Sequence, residues 1–145
     1  MLPLTLGTAT KTVCKEVLTA SMKIDGSLVV AFVFGGNVFT ATRRRMDSEQ
    51  ALWALSWIKS NGIEAHLEVG WTYMFEAVYD INRVIVHYNF EGLVLLGAVR
   101  PTGTALVPGS DELYVLAAKL GVVCPPSITD RDTADVLCRD LLMAW

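Results

Sequence analysis

The feature that most constrains the fold of this chain is the apolar run Leu28–Phe34 together with the glycine pair that follows it. Because every residue of the run is apolar, it predicts a strand that is apolar on both faces and lies centrally in a sheet. The residues Gly35-Gly36-Asn37 are typical of a tight hairpin turn, and Val38–Thr42 predicts the returning strand. We therefore expect the chain to be built around an antiparallel hairpin.

Directly before this hairpin stand Lys23-Ile24-Asp25-Gly26, at the end of a strand predicted over 17–24. A lysine amine that burial or nearby cations keep neutral can act as a nucleophile. Gly26 lets the backbone bend and lets a ligand approach it closely, and Asp25 is a short polar residue suited to bracing a turn. Taken alone, the pattern also fits a surface Asp-Gly hairpin with a solvated lysine.

The rest of the chain mixes helices and strands. Asp47 or Ser48 is predicted to cap a helix that ends at about Ser60, where an Asn-Gly pair stops it. Trp53 and Trp57 lie one turn apart on this helix, which favours packing over a base-stacking platform. Further strands are predicted over 71–79, 84–88 and 93–99, with a turn at 80–83, and further helices over 110–120 and from Asp130 or Thr133 onward.

Composition narrows the class of protein. The 145 residues are 52% apolar and 19% charged, with a mean hydropathy of +0.42, which indicates a core-rich piece of a larger domain or a subunit with a buried interface. No apolar run reaches the roughly 18 residues that span a membrane, and the start of the chain lacks the pattern of a signal peptide. The three cysteines are widely spaced without a CxxC, which argues against a zinc site or a disulfide framework and indicates the cytoplasm.

Charge limits the partners. A net charge of −3 and a pI of about 5.3 argue against a protein that coats nucleic acid, but not against a local basic groove. Taken alone, the run Arg43-Arg44-Arg45 predicts a solvated turn. Glu76 lies in the middle of an apolar predicted strand, where a carboxylate is costly to bury without a partner. Taken alone, Glu76 is predicted to be a buried ion-pair partner of Arg83.

Three features stand in a fixed order along the chain: Lys23-Ile24-Asp25-Gly26-Ser27, then Thr42-Arg43, then Phe75-Glu76 leading to Asn82-Arg83-Val84-Ile85-Val86-x-Tyr88. In this order they resemble the covalent nucleotidyltransferases, which include ATP-dependent RNA and DNA ligases and mRNA capping enzymes. Within that superfamily the chain is most similar to the T-even phage type of RNA ligase, which repairs nicked tRNA anticodon loops. The resemblance covers about residues 17–99. It implies an α+β, ATP-grasp-like nucleotidyltransferase fold with antiparallel sheets and flanking helices, of which residues 1–145 form an incomplete adenylation domain.

Carried onto this sequence, the resemblance implies the chemistry of a lysine nucleophile. Lys23 would attack the α-phosphate of ATP, the AMP would pass to an RNA 5′-phosphate, and a 3′-hydroxyl would displace it to seal the strand. Magnesium would offset the phosphate charge, with no metal ligand assigned to the protein. The implied partners are ATP and the ends of tRNA or another nicked RNA, and no membrane.

The same resemblance implies the nucleotide-binding residues Asp25, Gly26, Arg43, Glu76 and Leu95. Arg43 would lie near the nucleotide phosphate or the RNA end, because a planar cation suits phosphate. Glu76 would hold the ribose hydroxyls, and Leu95 with its neighbours would line the adenine pocket.

The chain also departs from the family pattern. The superfamily has a later Glu-Gly-x-Val element for metal and a Lys-x-Lys element that contacts the α-phosphate, but the only lysine after Val99 is Lys119. Glu91-Gly92-Leu93-Val94 has the letters of the first element, yet it lies only 15 residues after Glu76. We therefore expect a fragment of a ligase, or one chain of a split ligase whose second part supplies the missing lysines. The alternative is a non-catalytic module that binds a nucleotide or an RNA end.

Overall fold

The computed structural model describes residues 19–82 and 88–128, which form an α+β structure. The strands are β1 (Ala20–Ser21), β2 (Ser27–Phe34), β3 (Asn37–Ala41), β4 (Thr72–Val78), β5 (Gly92–Val99), β6 (Ala105–Leu106) and β7 (Ser127–Ile128). The helices are α1 (Glu49–Ser60) and α2 (Asp111–Leu120), and short 3₁₀ turns cover Ile63–His66 and Asp80–Asn82. Within these two ranges, neither helix is long and apolar enough to cross a membrane.

Five strands form one antiparallel sheet in the order β3-β2-β4-β5-β6. The apolar strand β2 pairs with β3 on one side and with β4 on the other, so it lies inside the sheet as predicted. The turn between β2 and β3 uses positive φ values of 56° at Gly35 and 76° at Gly36, a conformation that glycine adopts without a steric penalty. The predicted hairpin is therefore confirmed.

Helices α1 and α2 pack on one face of this sheet and enclose the main core. Side chains alternate between the two faces of a strand, and on this face Val29, Tyr73, Phe75 and Leu95 are fully buried. From the helices, Ala54, Ile58, Leu113, Leu116, Ala117 and Leu120 belong to the same core. We call this face of the sheet the covered face.

Local capping explains where the helices begin and end. The Ser48 hydroxyl accepts a hydrogen bond from the Ala51 amide at 3.3 Å, and the Ser110 hydroxyl caps α2 in the same way. At the other end of α1, Asn61 is the capping residue and Gly62 takes a left-handed conformation with φ 68°. Both predicted helices over these regions are confirmed.

The tryptophan pair of α1 packs within the fold, as expected. The rings of Trp53 and Trp57 stack with centroids 5.2 Å apart, and Trp53 also stacks on Tyr79 at 4.3 Å. Both tryptophans are half-buried and pack against the main core. They therefore serve the interior of the protein.

The strand predicted over 17–24 is wrong in extent within the described residues. Strand β1 has only two residues and pairs with β7 in a separate two-stranded sheet. After β1 the chain leaves this two-stranded sheet. The Met22 amide still donates a hydrogen bond to Pro126 O at 2.9 Å, and the Ile24 side chain is buried in a separate apolar cluster. The strand predicted over 84–88 and the helix predicted from Asp130 or Thr133 lie outside the described residues, except for Tyr88, which belongs to no strand.

Candidate functional site

Strand β4 presents different chemistry on its two faces. Phe75 lies opposite Val29 and Leu95 and points into the main core, whereas Glu76 lies opposite Leu28 and Val94. Because neighbouring side chains of a strand alternate, Glu76 emerges on the face away from the helices. We call this the open face.

A second, smaller apolar cluster lies on the open face beside Glu76. It consists of buried Ile24, Val78 and Val94, with Tyr88 and Leu96 packed against them. Ile24 therefore ties the segment that precedes β2 to strands β4 and β5. Its neighbour Lys23 is exposed, so the lysine side chain is presented to solvent from an anchored stretch of backbone.

The backbone on both sides of Lys23 is held by long-range contacts. Before it, the Met22 amide donates to Pro126 O at 2.9 Å. After it, the Asp25 amide donates to the Tyr88 hydroxyl oxygen at 2.9 Å. The irregular segment between β1 and β2 is thus fixed from two directions although it belongs to no strand.

Gly26 passes very close to β4. A Cβ atom at this position would lie 2.5 Å from Ala77 O and 3.0 Å from Glu76 Cγ, and the first distance is too short for any real contact. Only glycine allows this approach. The approach also brings the Gly26 amide to the Glu76 carboxylate, which accepts a hydrogen bond from it.

The carboxyl group of Glu76 is perturbed by its surroundings. Burial raises the pKa of Glu76, while attraction by Lys23 and the hydrogen bond from Gly26 lower it, and the negative charge of Asp25 raises it. The net result is a raised pKa. These interactions also show that Lys23, Asp25, Gly26 and Glu76, four of the six predicted site residues, lie together at one end of the sheet.

Arg43 lies at the same end of the sheet. Ala41, the last residue of β3, pairs with Val30, which pairs with Met74 on the other side of β2, so β3 ends two residues short of the level of Glu76. Arg43 follows that end in an exposed bend. The structure therefore places Arg43 at the same end of the sheet as Lys23 and Glu76.

The bend that holds Arg43 is closed by its own hydrogen bonds. The amide and the hydroxyl of Thr42 both donate to Arg45 O, at 2.9 and 3.1 Å. The Arg45 guanidinium forms two bonds to the Asp47 carboxylate, at 2.8 and 2.9 Å. Since Arg45 is paired inside the bend, Arg43 and Arg44 are the basic residues of the run that project from it.

The structure separates Leu95 from these residues. Its side chain is fully buried in the main core on the covered face, whereas Glu76 emerges on the open face. That Leu95 and its neighbours line the adenine pocket stays a prediction. The pairing of β4 with β5 shifts between Met74 and Phe75, which leaves Leu96 as an extra residue. On the open face the neighbours Val94 and Leu96 stand in its place.

The sequence alone assigns no role to Tyr88, although this residue belongs to the Val-x-Tyr pattern. Its contact with Asp25 spans 63 positions in the chain, and nothing in the local sequence predicts it. Two other residues lie elsewhere: Lys119 forms an ion pair with Glu68 at 2.6 Å, and the Glu91 carboxylate accepts a bond from the Asp80 amide at 2.9 Å. In the part of the chain that the structure describes, no three histidine, cysteine, aspartate or glutamate residues cluster as metal ligands.

No family model and no curated protein matches the sequence. Among solved structures, a lysine-to-alanine variant of Naegleria gruberi RNA ligase with ATP and Mn is similar with a TM-score of 0.56 and 14% identity, over 74% of this chain and 35% of that chain. The same ligase with PPi is similar with a TM-score of 0.57 and 14% identity, over 77% of this chain and 36% of that chain.

This likeness identifies the fold. The chain has an α+β, RNA ligase nucleotidyltransferase-like fold with antiparallel sheets and helices packed against them. It spans about a third of the length of the ligase chains to which it is similar. At 14% identity, the comparison establishes the fold and leaves the chemistry to the residues of the site.

Proposed function

We propose that this chain is part of the adenylation domain of an ATP-dependent RNA ligase, of the T-even phage tRNA-repair type, with Lys23 as the nucleophile. The observation that carries the proposal is that Lys23, Asp25, Gly26 and Glu76 lie together at one end of a ligase-like sheet. These residues come from two distant parts of the chain, the segment 23–26 and Glu76 on β4, and they match the family pattern in kind and in order. The ATP and PPi bound by the similar ligase are the ligands that such chemistry requires.

In the proposed reaction, the Lys23 amine loses its proton and attacks the α-phosphorus of ATP. A P–N bond forms as the bond to pyrophosphate breaks, which leaves AMP on the lysine. The 5′-phosphate of an RNA then attacks the same phosphorus, the P–N bond breaks, and the lysine regains its proton. A 3′-hydroxyl finally attacks the activated 5′-phosphate and releases AMP.

The surrounding residues have roles that suit their positions. Glu76 offers a half-buried carboxylate that can accept hydrogen bonds from both ribose hydroxyls. Gly26 keeps the backbone close to Glu76, and Asp25 lies within the same charged group. Arg43 is exposed at this end of the sheet, and we assign it to binding the phosphate of the nucleotide or of the RNA end. Leu96, packed on the open face, is assigned to the adenine in place of the Leu95 side chain.

A divalent metal is implied by phosphoryl transfer, and Mg²⁺ is the ion that we propose. Asp25 and Glu76 provide carboxylates at this end of the sheet. The described residues hold no cluster of three or more histidine, cysteine, aspartate or glutamate side chains. This donor set fits Mg²⁺, which is commonly held by substrate phosphates, water and one or two carboxylates. When bound, the ion offsets the negative charge of the phosphates.

The proposal is tested by intact-protein mass spectrometry after incubation with ATP and Mg²⁺. We expect one AMP adduct on the wild-type chain and none on Lys23→Ala. Lys59→Ala is the matched control, since Lys59 is an exposed lysine of α1, and it should form the adduct normally. An adduct that persists in Lys23→Ala contradicts the assignment of the nucleophile.

A second candidate is a module that binds a nucleotide or an RNA end without forming the adduct, either alone or as one part of a split ligase. The observation that favours it is the position of Lys119, the only lysine after Val99, which is paired with Glu68. This candidate predicts ATP binding by calorimetry with no AMP adduct on the wild type. Formation of the adduct after addition of a polypeptide with the Lys-x-Lys element supports the split ligase.

A further inference from the structure

We infer that Tyr88 is a positioning residue for Lys23, acting through the hydrogen bond that its hydroxyl oxygen accepts from the Asp25 amide. This inference rests on the proposed function in one respect, since Lys23 is taken to be the nucleophile. The contact itself is independent of that assignment. It is 2.9 Å long, partly buried, and joins residues 63 positions apart.

The segment between β1 and β2 carries Lys23 without the support of a strand. The bonds of a sheet end at Ser21 and resume at Ser27. Between these points, Met22 is tied to Pro126, and Gly26 is pressed against Ala77. The Asp25 amide lies between the two, and Tyr88 is the acceptor that holds it.

Tyr88 is itself held firmly enough to act as an anchor. Its ring packs against the apolar cluster of Ile24, Val78 and Val94. It also contacts Phe90, with ring centroids 5.4 Å apart and the planes tilted by 53°. Tyr88 is thus linked to the lysine segment in two ways: its ring packs against the cluster that includes Ile24, and its hydroxyl oxygen accepts the hydrogen bond from the Asp25 amide.

The two interactions lie at the residues that directly follow the lysine, and they have separate physical roles. The apolar contact buries the side chain that follows Lys23, and the polar contact fixes the direction of the next peptide group. A lysine that must meet a phosphorus in line with its leaving group depends on both, because small errors in placing reacting atoms cost large factors in rate. A phenylalanine at position 88 keeps the ring and removes only the acceptor.

The test therefore compares Tyr88→Phe with the wild type in single-turnover formation of the AMP adduct over a range of ATP concentrations. We expect the maximal rate to fall about 10-fold, while the ATP concentration at half-maximal rate changes less than twofold, since the variant alters placement of the nucleophile. Tyr114→Phe is the matched control, because Tyr114 is an exposed tyrosine of α2. It should behave as the wild type.

A second measurement follows the contact directly. Amide hydrogen exchange at Asp25 is expected to quicken at least fivefold in Tyr88→Phe and to stay unchanged in Tyr114→Phe, with both variants melting within a few degrees of the wild type. Exchange that does not quicken overturns the anchor, whether or not any AMP adduct forms. If the wild type forms the adduct, an unchanged maximal rate in Tyr88→Phe overturns the positioning role. A wild type that forms no adduct, either alone or with the added Lys-x-Lys polypeptide, overturns the proposed nucleophile, and Asp25 exchange then decides whether Tyr88 anchors the segment.

Discussion

The two faces of the central sheet differ in what they are built from. The covered face is apolar, closed by two helices, and contains the fully buried Tyr73, Phe75 and Leu95. The open face carries a small apolar cluster and, beside it, the charged group of Lys23 and Glu76. Adjacent residues of β4 serve the two faces, since Phe75 points to one and Glu76 to the other.

Two adjacent residues of β4 therefore contribute to different properties of the protein, Phe75 to its stability and Glu76 to the proposed chemistry. Apolar burial stabilises a fold in proportion to the area removed from water, and the covered face provides most of it. On the open face, a half-buried carboxylate with a raised pKa opposes stability at neutral pH. Substitutions on the first face should therefore change folding, and substitutions on the second should change binding and rate.

The largest effect is expected from Phe75→Ala on the covered face. Removal of a fully buried phenyl ring leaves a cavity and should lower the free energy of unfolding by about 4 kcal/mol. Urea denaturation followed by circular dichroism measures this loss. The control is Phe34→Ala, whose ring is 73% exposed and whose loss should be small. Equal losses in the two variants contradict the assignment of the core.

Local residue patterns in the sequence predicted much of this arrangement. The apolar run of β2, the Gly35-Gly36 turn and the capped helix α1 each follow from local residue types, and all three were predicted with nearly the observed boundaries. Glu76 was singled out because a carboxylate in an apolar strand requires a partner. Local chemistry was sufficient wherever a single element determined the result.

The remainder depends on contacts between distant residues. A strand that is apolar throughout does not reveal which residues face which side, so the sequence does not distinguish Leu95, which the fold buries in the main core, from Leu96, which packs on the open face. Strands β1, β6 and β7 have two residues each, too few for a periodic signal. The bond from Asp25 to Tyr88 is set by the tertiary fold alone.

A second prediction concerns the close approach at the boundary between the faces. Gly26→Ala places a methyl group 2.5 Å from Ala77 O, so the lysine segment must move. We expect the free energy of unfolding to fall by about 2 kcal/mol and the rate of adduct formation to fall about 100-fold. Gly92→Ala is the control, because its methyl group would meet Trp57 at an ordinary 3.5 Å. A Gly26→Ala variant with wild-type rate would show that the approach is unimportant for the lysine.

A third prediction is that Glu76→Gln separates binding from stability. The amide keeps the shape of the side chain but loses the charge-assisted hydrogen bonds proposed for the ribose hydroxyls, so ATP should bind about 10-fold more weakly. The melting temperature at pH 7 should not fall, because burial disfavours the charged form of Glu76. Calorimetric titration with ATP and thermal melting measure the two effects, with the exposed Glu64→Gln as control. Unchanged ATP affinity speaks against a role in binding.

The same residue gives a prediction for pH. Because the pKa of Glu76 is raised in the fold from its ordinary value of 4.5, its contribution to stability is fully present below pH 4.5 and is lost as the pH rises through the folded-state pKa. The wild type should therefore melt close to Glu76→Gln near pH 4 and lose stability relative to it as the pH approaches 7. Melting curves of both proteins over this range measure the difference. A difference that grows toward low pH would reverse the sign of the proposed shift.

The smallest effect is expected from a substitution at Thr40. This residue tests the comparison between the two faces because it makes a polar contact on the covered face. Thr40 is 3% exposed, and its hydroxyl donates to Ala51 O at 2.7 Å, joining the edge strand β3 to α1. Thr40→Val keeps the volume and removes the donor, so the free energy of unfolding should fall by about 1 kcal/mol with no change in ATP affinity. Denaturation in urea measures the first and calorimetry the second, with Thr104→Val as an exposed control. Because the bond lies on the stabilising face, a change in ATP binding without a change in stability would break the division between the two faces.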